Sequence, residues 1–591
     1  MRFALAERLT SLETDLAALS RFAPHALRVR RGGRENVARL LAENAERWPD
    51  RTALFFEDER YSWAELDAHA NRWAHFFLAR GVRPGDAVVL LMDNRPEYVF
   101  SLMGLGRIRA IAACLNTHVS GSPLAHAARI VNPRLAVVGS EHARERATLA
   151  EALGSREKVL LHRDRGAPEG DGSMDEELAA APADTPGDGF RPRTEEPAAY
   201  LYTSGTTGLP KAAVVTNQRF LAASIGFGRV LHEATEEDVI YTALPLYHGS
   251  AQWGGLGASV ATGAALALRR KFSASQFWSD AVRFGATRFV YIGELCRYLL
   301  HTQEVPEERL HRVRIGVGNG LRKDVWVAFQ KRFGVPLLRE FYGATEGNAP
   351  LANLEGRPGM VGRLRMGQAL VEYDPETAGP KRDAKGRCIR VARAGETGLF
   401  IGRISLVARF DGYADSRATE SKILRGVFRR GDAWFNSGDL LTLHEGGWVS
   451  FADRAGDTFR WKGENVSTNE VSELLNEAPG VLESNVYGVV VPGSEGRAGM
   501  ASLRVSADFD LDSFAAHVEG RLPKYARPLF LRLQSDMRIT STFKHLKVDY
   551  RNEGYDPTKV SDPVFALLGG RYVRLDGETF ARLARGEITP G

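Results

Sequence analysis

Cysteine is scarce: Cys114, Cys296 and Cys388 are the three in 591 residues. Their spacing matches neither a zinc-ligand pattern nor a disulfide framework. The chain is therefore expected in a reducing compartment, the cytoplasm, with its thiols as small buried hydrophobes. An excess of charge of one sign is lacking as well. Lys plus Arg number 78 against 73 Asp plus Glu, a formal net charge of +5. That is small for this length and argues against a nucleic-acid binder, which needs a clustered basic face, while leaving room for attraction to acidic ligands or anionic lipid. Long uninterrupted apolar runs are also missing. The first twenty residues, MRFALAERLTSLETDLAALS, carry charges throughout and lack the core of a signal peptide. One low-charge stretch of spanning length, residues 249–268, is rich in Gly, Ala and Ser and poor in Leu, Ile and Phe. It reads as a helix packed inside a large domain rather than a bilayer span.

What is present suits a large globular enzyme: 44% hydrophobic and 26% charged residues, in a chain too long for one core. Residues 1–35 read as a helix followed by a basic loop, LRVRRGGRE. From Asn36 helices alternate with short apolar runs. Residues 60–63 read as a strand entering a helix over 64–80, ended by Gly81; residues 87–92 (AVVLLM) read as a strand buried on both faces, with a helix over 96–106 after it. This rhythm predicts parallel sheets covered by helices. Residues 163–197, rich in Gly, Pro and acid, read as a surface connection. Residues 363–409 read as β-rich. After Arg454 a hairpin, a helix near Asn469, a strand and a helix over 511–522 make up a small α+β domain. The expected fold class is α/β, with a large domain over 1–453 that includes a β-rich subdomain, and a small mobile α+β domain over 454–591.

The strongest chemical signal is residues 201–211, LYTSGTTGLPK, after the β-favouring AAYLY. Thr203, Ser204, Thr206 and Thr207 interleave with Gly205 and Gly208, and Lys211 closes the run. Glycines let backbone N–H groups approach phosphate oxygens closely, hydroxyls add donors, and the lysine adds positive charge. The spacing is not that of a Walker A loop.

This segment resembles the signature of the adenylate-forming enzymes: acyl-CoA synthetases, luciferases and peptide-synthetase adenylation domains. Further segments resemble that family's motifs in order: FYGATEGN over 341–348, SGDL over 437–440, and Asp453-Arg454 at the interdomain hinge. GDTFRWKGENV over 456–466, TFKH over 542–545 and EGYDP over 553–557 resemble the fatty acid transport protein and very-long-chain acyl-CoA synthetase branch. The resemblance runs from about Glu46 to Pro557. It implies ATP and coenzyme A as substrates, with Mg²⁺. Glu346 would be the metal ligand, since a hard cation prefers oxygen, and Thr345 a phosphate donor. Tyr342, beside Gly343, would stack on adenine. Gly318 and Asn319 would meet the base edge, and Asp439 would accept hydrogen bonds from the ribose hydroxyls, with Arg454 adding a cationic donor. Lys544 would bridge the attacking carboxylate and the α-phosphate, with Lys547 as its rival. The superfamily has Gly before that lysine, whereas Phe543 stands here; the branch tolerates Phe but usually has Gly where Ser541 sits.

The resemblance also implies two poses joined at Ala455 and Gly456, with Lys544 at the nucleotide in one and Lys462 and Gly463 lining a coenzyme A tunnel in the other. His248, in LPLYH, would lie near the carboxylate or the acyl entrance, or be a satisfied core histidine. Trp253 would be a pocket wall or gate, or plain core. The small residues from Gly254 to Ala265 would leave room for a long chain. The implied activity is ligation of a long-chain or very-long-chain fatty acid to coenzyme A through an acyl-adenylate. Alternatives are a bile-acid or sterol-acid CoA ligase, an acyl-AMP ligase serving a carrier protein, and an uptake protein working by vectorial acylation. The N-terminal helix and its basic loop would either touch a membrane surface or dock on their own domain.

Overall fold

The apolar run AVVLL forms the strand Ala87–Leu91, buried at all five positions, as a strand covered on both faces requires. Its neighbours build a six-stranded sheet in the order Val159–His162, Leu135–Gly139, Ala87–Leu91, Ile111–Cys114, Pro197–Ser204, Pro210–Thr216. All pairs are parallel except the last. An eight-stranded sheet runs Leu351–Asn353, Leu337–Tyr342, Ile315–Asn319, Arg288–Ile292, Val239–Thr242, Ala265–Leu268, Thr52–Phe56, Glu59–Ser62. It is parallel except at its two edge strands. Helices follow the strands in alternation. The helix Trp63–Ala79 starts in a reciprocal cap, with Glu65 N–H donating to the Ser62 hydroxyl and Ser62 N–H donating to the Glu65 carboxylate. In this computed structural model the described residues are 2–164, 173–187, 191–204, 209–374, 377, 379–406, 408–462, 464–492, 494, 496–537 and 547–591.

The chain forms two compact units, Met1–Arg363 with Ile404–Ile423, and Leu364–Arg403 with Leu424–Gly591. Both large sheets belong to the first. The second holds an antiparallel sheet that includes Gln368–Val371, Thr397–Arg403, Ala433–Leu443 and Trp448–Arg454. It also holds the hairpin Phe459–Trp461/Glu464–Val466 and a five-stranded sheet from Val481–Val489 to Arg571–Arg574. The expected β-rich subdomain and C-terminal α+β elements are thus present.

Two readings need correction. Residues 249–268 are not one helix. Helical turns run from Gly249 to Thr262, Gly263 ends them at φ +79°, and Ala265–Leu268 is a buried strand. A Cβ on Gly263 would lie 2.3 Å from the Trp48 ring, so glycine serves both the backbone and the packing there. A continuous apolar run of four residues, ALAL, is too short to separate strand from helix by periodicity. Residues 163–197 are not all connection, because Ser173–Ala180 is a helix. Glu177 on it pairs with Arg80, and Ala183 just beyond it accepts from Asn71 Nδ2 at 2.8 Å. Among the described residues no helix is long and apolar enough to cross a membrane.

Candidate active site

In the first unit the strands Pro197–Ser204 and Pro210–Thr216 pair antiparallel, with Thr203 opposite Lys211 and Ser204 opposite Pro210. Thr203, the Ser204 backbone and Lys211 therefore meet at one hairpin end. Gly205, Thr206, Thr207 and Gly208 lie outside the described residues. A third segment joins them: Val214 N–H donates to Gly412 O at 3.0 Å and Ala414 N–H to Ala212 O at 2.9 Å. This places Tyr413 opposite Ala213. Lys211 Nζ lies 5.9 Å from the Tyr413 ring centroid.

Tyr413 donates its hydroxyl to Glu346 Oε1 at 2.6 Å, with the Thr203 side chain close by. Burial and the Glu346 charge push its own ionisation far up, so it stays a donor. Glu346 is 6% exposed, and Thr345 is half-buried beside it. Arg219 suspends the turn: Nη1 donates to Thr345 O and Nη2 to Gly347 O, both at 2.5 Å. Its Nε lies 3.5 Å from Asp411 Oδ2. One carboxylate among hydroxyl oxygens fits the hard-oxygen preference of Mg²⁺. A different trio, Asp93, Glu141 and His142, has metal-ligand spacing, but Lys271 Nζ sits 3.1 Å from Asp93, and Arg95 lies 3.7 Å from Glu141. Burial alone would raise the Asp93 carboxyl; hydrogen bonds from His142 and Lys271 overcome it and hold it at about 2. That trio reads as an ion-pair network.

Gly318 and Asn319 end the strand Ile315–Asn319, and Tyr342 ends its neighbour Leu337–Tyr342. A Cβ on Gly318 would lie 2.2 Å from Tyr291 O, whereas one on exposed Gly343 would meet nothing within 4 Å. Below them Glu340 is 2% exposed and accepts from Leu321 N–H at 2.6 Å. Burial pushes its carboxyl well up, and the bond from Leu321 N–H makes it an anchor of the loop.

His248 is half-buried and begins the helical turns from Gly249. Its ring lies 4.6 Å from that of Tyr247, whose hydroxyl is 3.2 Å from His118 Nδ1. The LPLYH loop hangs from Asn94, which donates to Leu244 O and accepts from Leu246 N–H, both at 2.8 Å. Trp253 covers Gly249, and its Nε1 is buried without a partner among the described residues. The small residues after it do not leave room. A Cβ on Gly254 would meet Phe227 at 3.2 Å, on Gly255 Thr242 at 3.1 Å, and on Gly257 Ser224 Oγ at 2.2 Å. They let two helices pack closely, each with a π-helical turn, Gln252–Gly257 against Gly226–Leu231.

In the second unit Asp439 and Arg454 are direct strand partners, with Arg454 Nε 4.0 Å from Asp439 Oδ1. Gly438, at φ +78°, and the Ser437 hydroxyl, which accepts from Asp439 N–H at 3.1 Å, shape the turn. Ala455 N–H donates to Gly438 O at 2.9 Å, and Gly456 O accepts from Arg551 at 3.2 Å. Asp453, 1% exposed, accepts from Thr468 N–H at 2.6 Å. Lys547 Nζ donates to the Thr468 hydroxyl at 2.5 Å, and burial lowers its pKa. Lys462 holds φ +50° with Nζ 5.4 Å from the Trp461 ring centroid. Gly463 and Lys544 lie outside the described residues. Tyr413, Arg219, Asp411 and Glu340 were not singled out from sequence. Gly412 before Tyr413 was the available signal; the others carry none locally.

The hairpin end, where Thr203 pairs with Lys211, and the buried turn carboxylate lie in the first unit, and the paired Asp439 and Arg454 in the second. Residues 41–392 match the family described as AMP-binding enzyme, and the chain belongs to that family. It is 40% identical over 571 residues to the medium/long-chain fatty acid–CoA ligase FadD6 of Mycobacterium tuberculosis, covering 96% of this chain and 93% of that protein. It is also 40% identical over 596 residues to long-chain fatty acid transport protein 1 of Mus musculus, covering 97% and 91%. Among solved structures, the fold resembles the anthranilate CoA ligase AuaEII in complex with anthranoyl-AMP (TM-score 0.75, 22% identity, 88% of this chain and 97% of that one). It likewise resembles ATP-bound MatB from Rhodopseudomonas palustris (TM-score 0.73, 24% identity, 88% and 99%).

Proposed function

We propose that the chain is an AMP-forming ligase of long-chain or very-long-chain fatty acids. In the first step a fatty carboxylate attacks the α-phosphate of ATP and pyrophosphate leaves, giving acyl-AMP. In the second the coenzyme A thiol attacks the acyl carbon, a proton is released and AMP leaves. The observation that carries this reading is the buried Glu346 carboxylate, one hydrogen bond from the segment paired to the strand of Lys211. Thr203 to Gly208 and Lys211 would cradle the phosphates, with Thr345 a further donor. Glu346 would hold the Mg²⁺ that accompanies ATP and offsets the charge of its phosphates. Tyr342, Gly343, Gly318 and Asn319 would receive adenine, and Asp439 and Arg454 the ribose. Lys544 would stabilise the charge developing on the transferring phosphoryl group, a contact whose loss costs roughly 10²–10³-fold.

We place the functional boundary at Asp453 and Arg454, with Ala455 and Gly456 as the hinge and Lys462 and Gly463 toward coenzyme A. His248 and Trp253 would border the acyl group; the unpaired Trp253 Nε1 supports that assignment. The test is ATP–pyrophosphate exchange and CoA-dependent thioester formation across fatty acids from short to very long, with bile acids included. Bile-acid preference would favour the sterol-acid alternative. Accumulation of acyl-AMP in the presence of CoA would favour a carrier-protein ligase. Exchange with none of the acids would refute the assignment.

Peripheral contact with an anionic membrane surface forms part of this reading. The helix Arg2–Phe22 docks through Ser11, Asp15 and Arg21, which bond Glu355, Arg363 and Glu233 at 2.7 Å each. Its other face leaves Leu12, Leu16 and Leu19 54–62% exposed, at one-face spacing. Beyond it the exposed Arg30 and Arg34 side chains make no ion pair among the described residues. A leucine stripe followed by uncommitted arginines suits lipid phosphates and acyl tails. This contact would leave uptake to proceed by trapping the acid as its thioester.

A further inference from the structure

We propose that Tyr413, Arg219 and Asp411 form a positioning device that aims the Glu346 carboxylate and leaves it without an ion-pair partner among the described residues until the divalent cation accompanying ATP arrives. The proposal rests on the reading of Glu346 given above and adds three residues to it.

A carboxylate that is 6% exposed normally takes a cationic partner. Glu346 makes no ion pair among the described residues. The guanidinium closest to its turn is diverted. Arg219 spends Nη1 and Nη2 on the carbonyls of Thr345 and Gly347, the residues on either side of Glu346, and turns Nε to Asp411. Asp411 is itself held by the Thr216 hydroxyl at 3.3 Å, and the same hydroxyl caps the helix that carries Arg219. Arg219 thus fixes the backbone of the turn without forming an ion pair with its carboxylate.

The carboxylate oxygen is instead met by a neutral donor, the Tyr413 hydroxyl at 2.6 Å. A hydroxyl orients an anion and lowers its desolvation cost while leaving the full charge available to a cation. Tyr413 is held from three sides: by its backbone against Ala213, by its N–H donating to the Thr419 hydroxyl at 2.9 Å, and by the preceding Gly412 at φ +73°. A Cβ on Gly412 would lie 2.5 Å from Thr419, so that turn admits glycine alone. The segment Ile404–Ile423, which returns to the first unit after the chain has left it at Arg363, supplies both Asp411 and Tyr413.

The test is ATP affinity by calorimetry in Mg²⁺ and in EDTA, for Tyr413→Phe, Glu346→Gln and the double variant. Tyr413→Phe keeps the ring and removes the donor. The expected result is a Kd raised about tenfold in Mg²⁺ and unchanged within twofold in EDTA. The double variant should be no worse than Glu346→Gln alone, because the tyrosine acts through that carboxylate. Equal weakening in both media, unchanged affinity in Mg²⁺, or additive losses in the double variant would overturn the proposal. Should Tyr413→Phe melt below the assay temperature, Asp411→Asn, which slackens Arg219, is read by the same criteria. Glu346→Gln separates the two levels of argument. If it leaves the Mg²⁺-dependent gain intact, the metal reading of Glu346 itself fails; if it abolishes that gain while Tyr413→Phe does not, only the positioning device fails.

Discussion

Gly343 separates what the fold needs from what a nucleotide needs. Its φ is not in the left-handed region, it is exposed, and an added Cβ would meet no atom within 4 Å. The fold therefore makes no demand for glycine there. Gly343→Ala should fold, with a gain of about 0.4–1 kcal/mol from the stiffer unfolded chain and a Tm no lower than that of the parent. The open space beside Tyr342 is where the proposed site receives adenine. A methyl intruding on a close-fitting ligand costs about 1–3 kcal/mol, which is roughly 5- to 150-fold in Kd. Gly318→Ala is the contrasting control. Its Cβ would lie 2.2 Å from the carbonyl of Tyr291 on the adjacent strand, so it should lower Tm sharply whether or not nucleotide is present. Melting curves and ATP calorimetry on the two variants, with pyrophosphate exchange as the activity readout, distinguish these cases. Gly343→Ala binding ATP within twofold of wild type would refute the placement of the nucleotide over Tyr342 and Gly343.

Lys544→Ala should abolish acyl-AMP formation while leaving thioester formation from supplied acyl-AMP largely intact; equal loss of both half-reactions would reject its role. Lys547→Met should instead destabilise the protein by about 1–3 kcal/mol, because it strips the Thr468 hydroxyl and the Asp457 carboxylate, 3.9 Å away, of a buried donor. A Lys547→Met protein of full stability but no adenylation would transfer the catalytic role to it. Burial depresses both His162 and His232 to about 3. Below pH 6.5 the unfolded chain binds protons that the folded protein refuses, so stability is full above 6.5 and falls toward pH 3, by about 1.4 kcal/mol per pH unit for each histidine. Urea midpoints between pH 7 and 5 should show this, and an unchanged slope in His232→Gln would contradict the assignment for that group. Replacing Leu12, Leu16 and Leu19 with serine should release the protein from anionic vesicles without altering turnover of short, soluble acids; undiminished co-sedimentation would reject the membrane face.

Local chemistry was legible in the sequence and tertiary company was not. The run from Thr203 to Lys211 stood out because its hydroxyls, glycines and lysine sit within eleven positions; that Thr203 and Lys211 are strand partners came from the structure. Asp439 and Arg454 were each singled out by motif resemblance, but that they are strand neighbours is a finding of the structure. The burial of Glu346 was invisible, because Tyr413 reaches it across 67 positions through a segment, FDGYAD, whose one local signal is a turn glycine. The glycines at 254, 255 and 257 suggested empty volume. Phe227, Thr242 and Ser224, contributed by other elements, occupy that volume instead, and no composition rule anticipates which neighbour fills a gap. The π-helical turns were equally hidden, since their extra residue is a product of packing rather than of side-chain pattern.

The same division runs through both units and sets what mutagenesis will read. Two residues assigned to touch substrate are accessible, Gly343, which is exposed, and Arg454, whose side chain is 51% exposed, whereas Gly318 and Glu346 are buried. Residues that aim them are buried. Glu340 lies under the Gly318 to Leu321 loop, Tyr413 and Arg219 hold the Glu346 turn, and Asp453, next to Arg454, is fixed by Thr468 and through it by Lys547. Truncating an accessible side chain removes only its binding energy, whereas truncating a buried one strands a desolvated partner. Arg454→Ala should therefore raise the KM for ATP at unchanged Tm, while Asp453→Ala should lower Tm and, by releasing the end of the strand Trp448–Arg454, weaken nucleotide binding as well. If Asp453→Ala altered nucleotide affinity with no loss of stability, Asp453 would itself touch the nucleotide, and its role as a buried anchor of Arg454 would fail.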